Sequence, residues 1–97
     1  VMMDNNLSNR YTVLEVSGLD RPGLLFDLTA ALSRLNLNIG SAHIATFGEK
    51  AVDVFYVTDL TGLKITASNR QGVIRKALLE IFEGTAKAPA KRKGDGT

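Results

Sequence analysis

An α+β sandwich, with two helices on one face of an antiparallel sheet, is the architecture this sequence predicts, on three observations. Residues 11–17 and 51–58 alternate in the manner of strands. Two apolar stripes of helical period lie at 24–35 and 74–81. Turn residues separate these segments, so that the order reads strand, helix, strand, strand, helix, with a short apolar run in front.

Taken in order, Thr12, Leu14 and Val16 fall on one face of the first strand, which ends at Gly18. Asp20-Arg21-Pro22-Gly23 makes a tight entry into a helix, with Pro22 expected at the first helical position, where its missing donor costs nothing. Leu24, Leu28, Ala31, Leu32 and Leu35, supported by Leu25, form the buried stripe. Asn36-Leu37-Asn38 is expected to stop the helix, asparagine being one of the few residues that tolerates a left-handed cap. From Ile39 to Phe47 the pattern is β-like, with His43 on the same side as Ile39, Ser41, Ala45 and Phe47. Gly48-Glu49-Lys50 reads as a hairpin turn into the strand Ala51 to Asp59. Within it, Asp53 and Phe55 face away from Val52, Val54 and Tyr56. We assign the Asp53 and Phe55 side to the outer face of the sheet, where a phenylalanine suggests contact with another sheet. After a turn at 60–63 and a brief extended piece at 64–66, a second helix starts at Ser68 or Asn69. Its stripe is Ile74, Ala77, Leu78 and Ile81, and Gly84 is its expected C-cap.

This order makes a ferredoxin-like sandwich that lacks its usual last strand. Val1-Met2-Met3 is expected to replace that strand, with a hairpin through Asp4 to Arg10 laying residues 1–4 antiparallel beside 12–17. One domain over 1–84 and an unstructured basic tail over 85–97 complete the expected organisation.

At 97 residues, 44% hydrophobic and 23% charged, the chain has the composition of one small soluble domain, whose thin core favours pairing with a copy or a neighbour. It has no cysteine and one histidine, which excludes thiol chemistry and a His- or Cys-rich metal centre. No apolar run approaches the roughly 20 residues that cross a bilayer, and no signal-peptide pattern opens the sequence, so a cytoplasmic location without membrane association is expected. The net charge of +2 is unevenly placed: from Thr85 onward four basic residues face one acid, whereas residues 1–84 carry eight basic and nine acidic side chains, a net −1. The body therefore lacks a basic footprint for nucleic acid, and Lys91-Arg92-Lys93 reads as a solvated terminus rather than a contact for nucleic acid or acidic lipid.

Asp20-Arg21-Pro22-Gly23-Leu24-Leu25, between a strand and a helix, resembles the signature turn of the ACT family of amino-acid-sensing domains. The resemblance extends through Leu35-Asn36-Leu37-Asn38-Ile39, Ala42-His43-Ile44 and Gly48 to Val57, and covers about residues 1–83. In detail the pattern is similar to the C-terminal ACT domains of the enzymes that attach uridylyl groups to, and remove them from, the PII signal protein. That resemblance implies a glutamine-sensing regulatory piece of nitrogen metabolism, reaching PII only through the parent. It implies no catalytic residue, metal or cofactor in this chain, magnesium being expected only of the parent's catalytic domains.

Independently of family, a helix start suits a free amino acid. The unpaired amides around Gly23, Leu24 and Leu25 favour a carboxylate, and Asp20 beside them accepts an ammonium group. Gly23 lets a ligand approach the backbone. The resemblance places the other wall on Asn38, Ile39, Gly40, Ser41 and Ala42 of a partner copy or neighbouring ACT domain, with Asn38 and Ser41 suited to a side-chain amide. Each feature has a plainer reading: the turn as a helix start, Arg21 as a solvated turn residue rather than a ligand clamp, His43 as a sheet or interface residue rather than a catalyst. Three rival functions remain. One is a nucleic-acid module of the same architecture, which would stack bases on aromatics of the central strands. Another is a metal carrier, for which no soft ligands are present. The last is the ACT sensor of a different amino-acid-metabolising enzyme.

Overall fold

The structure is a computed structural model; it describes the backbone of residues 1–91 and side chains as far as Phe82. Its elements are β1 (Met2–Asp4), β2 (Thr12–Leu19), α1 (Leu24–Arg34), β3 (Leu37–Phe47), β4 (Lys50–Asp59) and α2 (Ser68–Lys91). The sheet order is β1-β2-β4-β3, with every neighbouring pair antiparallel. Both helices lie on one face of this sheet and share a core with β2 and β4.

The N-terminal run takes the edge position expected of it. Met2 pairs with Glu15, Met3 with Leu14 and Asp4 with Val13. The connection back to β2 is shaped by short polar side chains, because the Asp4 carboxylate accepts the amides of Asn6 and Leu7 at 2.6 and 3.1 Å, and the Ser8 hydroxyl accepts those of Arg10 and Tyr11 at 3.2 and 3.1 Å. Thr12 is buried but satisfied. Its hydroxyl donates to Asn5 Oδ1 and accepts the amide of Ile65 at 2.8 Å. Asn5 Nδ2 donates to the carbonyl of Ile65 at 2.8 Å. The 64–66 segment is thus sewn to the N-terminal loop by side chains, and no strand forms there.

Asn36 adopts a φ of 63°, the expected left-handed stop after α1. The other end of α1 differs from expectation: Gly23, at φ 81°, is the N-cap, which leaves Pro22 outside the helix rather than at its first position. Leu24, Leu28, Ala31 and Leu32 are buried, while Leu25 points to solvent and does not support the stripe. On α2, Ile74 and Leu78 carry the packing. This helix does not stop at Gly84. It continues to Lys91, since glycine inside a helix costs only about 1 kcal/mol and terminates one only by turning left-handed. Residues 92–97 of the expected tail lie outside the described residues.

The assignment of faces on β4 is corrected. Phe55 pairs with Leu14 on one side and Ala42 on the other, and it lies with Leu14 in the core beneath the helices, fully buried. By the period of two, Asp53 shares that covered face, and Val52, Val54 and Tyr56 occupy the open one.

β3 is an edge strand. Beyond Leu37, only Ala45 along it is even partly covered, and no strand pairs with its outer edge among the described residues. A bulge lies at Gly40, where Ile39 pairs with Val57 but Ser41 pairs with Tyr56. The bulge moves Ile39 off the face that carries Ser41, His43 and Ala45, contrary to the expected alternation. A Cβ at Gly40 would collide with the Tyr11 ring, which packs edge-on against Tyr56 at 6.2 Å between centroids.

Gly40→Ala is therefore expected to lower stability by about 1–3 kcal/mol, and by much less in a Tyr11→Ala background. Urea unfolding of the two single variants and the double variant measures that coupling.

Candidate ligand-binding site

The loop after β2 is tied to the β3–β4 hairpin by the Asp20 amide, which donates to the Glu49 carbonyl at 2.8 Å. Asp20 Oδ1 accepts the amide of Arg21 at 2.9 Å. Arg21 is not a freely solvated turn residue. Its Nη2 forms an ion pair with Asp27 Oδ2 at 2.6 Å, and its Nη1 donates to the Pro22 carbonyl at 3.1 Å, so the guanidinium braces the first turn of α1. Asp27 thereby supplies the acidic group that a helix N-terminus favours.

The amide donors differ in part from those expected. Leu24 N–H donates to the Arg21 carbonyl at 3.2 Å and its side chain is buried, so Leu24 offers a ligand nothing. The amides of Gly23, Leu25 and Phe26 find no acceptor among the described residues, and Gly23 makes no side-chain cap. Phe26, 73% exposed, was not among the sequence candidates; the three-residue reach of an uncapped helix start is the signal that includes it.

Asp53 is a second acid at this end of the sheet that the sequence reading did not place in the site. It pairs with Val16 and Ile44 of the flanking strands, is 2% exposed, and its Oδ1 has no hydrogen-bond partner among the described residues. Burial raises its pKa above the ordinary 3.8, and the nearby charge of Asp20 raises it further. One acid within a run of strand formers, in step with Phe55, was the available signal.

Asn38, Ile39, Gly40, Ser41 and Ala42 lie far from the loop in the same copy. Asn38 pairs with Thr58 at one end of the sheet, whereas Phe47 and Leu19 both pair with Lys50 at the other, beside the loop. The span from Ser41 to Phe47 is roughly 20 Å at about 3.3 Å per residue. Asn38 Nδ2 lies 3.5 Å from the Asp59 carbonyl, and Ser41 Oγ lies 3.5 Å from His43 Nε2. His43 sets its ring edge-on to Tyr56 at 5.5 Å on the open face.

At that far end lies a groove of about 700 Å³, lined among others by Arg34, Asn36, Asp59, Thr61 and Arg70. Two of its charged side chains, Arg70 and Asp59, are engaged in structure. Arg70 Nη2 donates to the carbonyls of Leu35 and Asn36 at 2.9 and 3.2 Å, closing the end of α1. Asp59 is held below the usual carboxylate range by the Thr61 hydroxyl and then by the Leu63 amide. Among the described residues no cluster of three His, Cys, Asp or Glu side chains is placed to hold a metal ion, and no helix is long and apolar enough to cross a membrane.

Sheet order and helix placement define a ferredoxin-like α+β sandwich with an uncapped, acid-flanked helix start at one end. A family model for the ACT domain matches residues 12–69, and the chain belongs to that family. It is 67% identical over 82 residues to a bifunctional uridylyltransferase/uridylyl-removing enzyme of Nitrobacter hamburgensis, covering 84% of this chain and 9% of that one. The enzyme of the same description from Rhodopseudomonas palustris is 66% identical over 82 residues, again covering 84% and 9%. One from a Bradyrhizobium strain is 61% identical over 92 residues, 93% of this chain and 10% of its own. The chain thus spans about a tenth of the length of the curated relatives it matches. Among solved structures, an unknown protein from Galdieria sulphuraria superposes with a TM-score of 0.57 at 26% identity, covering 74% of this chain and 38% of that one.

The state of Asp53 gives a pH dependence whose sign is fixed. Because its folded pKa lies above 3.8, folding is favoured while the group is protonated in the folded protein, and that advantage is lost as pH rises from about 3.8 through the raised value. Asp53→Asn is expected to remove this downward trend and to be at least as stable as the parent above it, as urea unfolding across pH 3 to 8 would show.

Proposed function

We propose that this chain is the amino-acid-sensing part of a larger cytoplasmic regulatory enzyme, with glutamine as the ligand. In this reading, ligand binding shifts the parent between attaching uridylyl groups to the PII signal protein and removing them. The observation that carries it is the uncapped start of α1, where the Gly23, Leu25 and Phe26 amides stand open to a carboxylate beside the Asp20 side chain. Relatives described as bifunctional uridylyltransferase/uridylyl-removing enzymes support the parent's chemistry. The catalytic domains, and the magnesium they would use, belong to that parent.

The site is completed by a second ACT domain in this reading. Antiparallel pairing of two β3 edges centred near His43 would set residues 38–42 of one copy against 44–48 of the other. That brings Asn38 and Ser41 to the end of the sheet where the partner's 20–25 loop lies. Ligand at such a seam changes the parent only if it binds two domain arrangements unequally.

One observation favours nucleic acid instead: Tyr11, Tyr56 and His43 cluster on the open sheet face. Their contacts are edge-on, Tyr11 covers Gly40, and residues 1–84 carry a net charge of −1, which together argue against a stacking platform. Strong filter binding of single-stranded RNA at low salt would reverse that judgement.

Isothermal titration with glutamine is expected to show binding that Asp20→Ala weakens. Equal affinity in both proteins removes Asp20 from the site. Ile44→Lys, which places a charge on the exposed β3 edge, is expected to abolish self-association in sedimentation and to weaken glutamine binding about tenfold or more. Unchanged affinity in the monomeric variant would show that one copy makes the whole site.

A further inference from the structure

A carboxylate held inside a protein is normally met by a cation or by donors, because an unpartnered buried charge is costly. Asp53 has neither. Its neighbours across the sheet are Val16 and Ile44, its Oδ1 accepts nothing, and the charge that reaches it is that of another acid, Asp20. Such a pair of acids favours positive charge between them. Asp20 opens the loop that leads to the three open amides of α1, and Leu24 of that first turn shares the core with Ala51 and Phe55, which flank Asp53 on its face of β4. The two groups are complementary to the two ends of a zwitterion.

We propose that Asp53 is the residue that receives the α-ammonium group of the bound amino acid, from beneath the β2–α1 loop. This rests on the reading that the loop binds an amino acid, and it names the group that makes the site select one. An ammonium carries three donors and no acceptor, so it bridges two carboxylates where a hydroxyl or a neutral amide does not neutralise them. Asp20, exposed and already accepting the Arg21 amide, is the outer partner; Asp53 is the inner one, whose charge burial penalises and which so gains most from the ligand. Ile44, beside Asp53 on the edge strand, is 48% exposed, and the loop above is tied to the hairpin through the Asp20–Glu49 backbone bond.

The test compares glutamine with 4-carbamoylbutanoate, which is glutamine without its α-amino group, by titration calorimetry on the parent chain, Asp53→Asn and Asp20→Asn. This chain without substitution is expected to prefer glutamine. Asp53→Asn should lose about 10- to 100-fold in glutamine affinity, the scale of a charge-assisted hydrogen bond, while its affinity for the deaminated compound changes less than about twofold. Equal loss for both ligands would mean that Asp53 only supports the fold. Unchanged glutamine affinity would overturn the proposal and leave amino-acid sensing by the loop intact. If none of the twenty amino acids binds the parent chain, both readings fall. Carbon-13 NMR of aspartate carboxyls in the parent chain gives a measurement that needs no variant. Followed across pH, the Asp53 titration midpoint should fall on adding glutamine, because a bound cation favours the ionised form, and stay in place with 4-carbamoylbutanoate; a midpoint indifferent to glutamine refutes the assignment.

Discussion

The pleat of β4 is the constraint on which the rest of this structure depends. It lies between β2 and β3 and turns Ala51, Phe55 and Val57 toward the helices, where each is buried. Burying a phenylalanine contributes about 1.5–3 kcal/mol, and Phe55 sits among Leu14, Leu28, Leu32, Ile74 and Leu78 in one cluster. A strand has no freedom to turn one of these residues without its alternates, so Asp53 is carried to the covered side with them. The buried acid that feels the Asp20 charge is thus a consequence of how the core is packed.

The same sheet leaves its two edges in different states. On one side, Met2–Asp4 closes the edge of β2, with Asp4 and Ser8 organising the turn that brings it back. On the other, β3 offers backbone along its length, little covered on either face. The helix start and the 38–42 segment lie at opposite ends of that strand, separated by the register of β4. The resemblance had already assigned those two groups of residues to different copies, and the register shows why one copy does not bring them together.

Features set by neighbours in the chain were legible before the structure. The stripes Leu24-Leu28-Leu32 and Ile74-Leu78 report a helical period wherever the helix packs. Asn36 could be read as a left-handed stop, and Gly48 as the turn of the hairpin, because both depend on local φ. Even the return of the N-terminal strand was readable, since the usual last strand was missing and a polar turn of the right length preceded β2. At the site, Asp20 and the open amides of Gly23 and Leu25 were legible for the same local reason.

What periodicity by itself determined here is which residues share a face and where the chain must turn. Which face is covered is a different question, because alternation is symmetric: Asp53 and Phe55 go in or out together, and only the docking of α1 and α2 chooses. The bulge that displaces Ile39 lies where the Tyr11 ring covers Gly40, and the brace of Arg21 on Asp27 depends on how the loop meets its helix. These were decided by contacts between segments distant in sequence or free to choose among several partners, which no local pattern records.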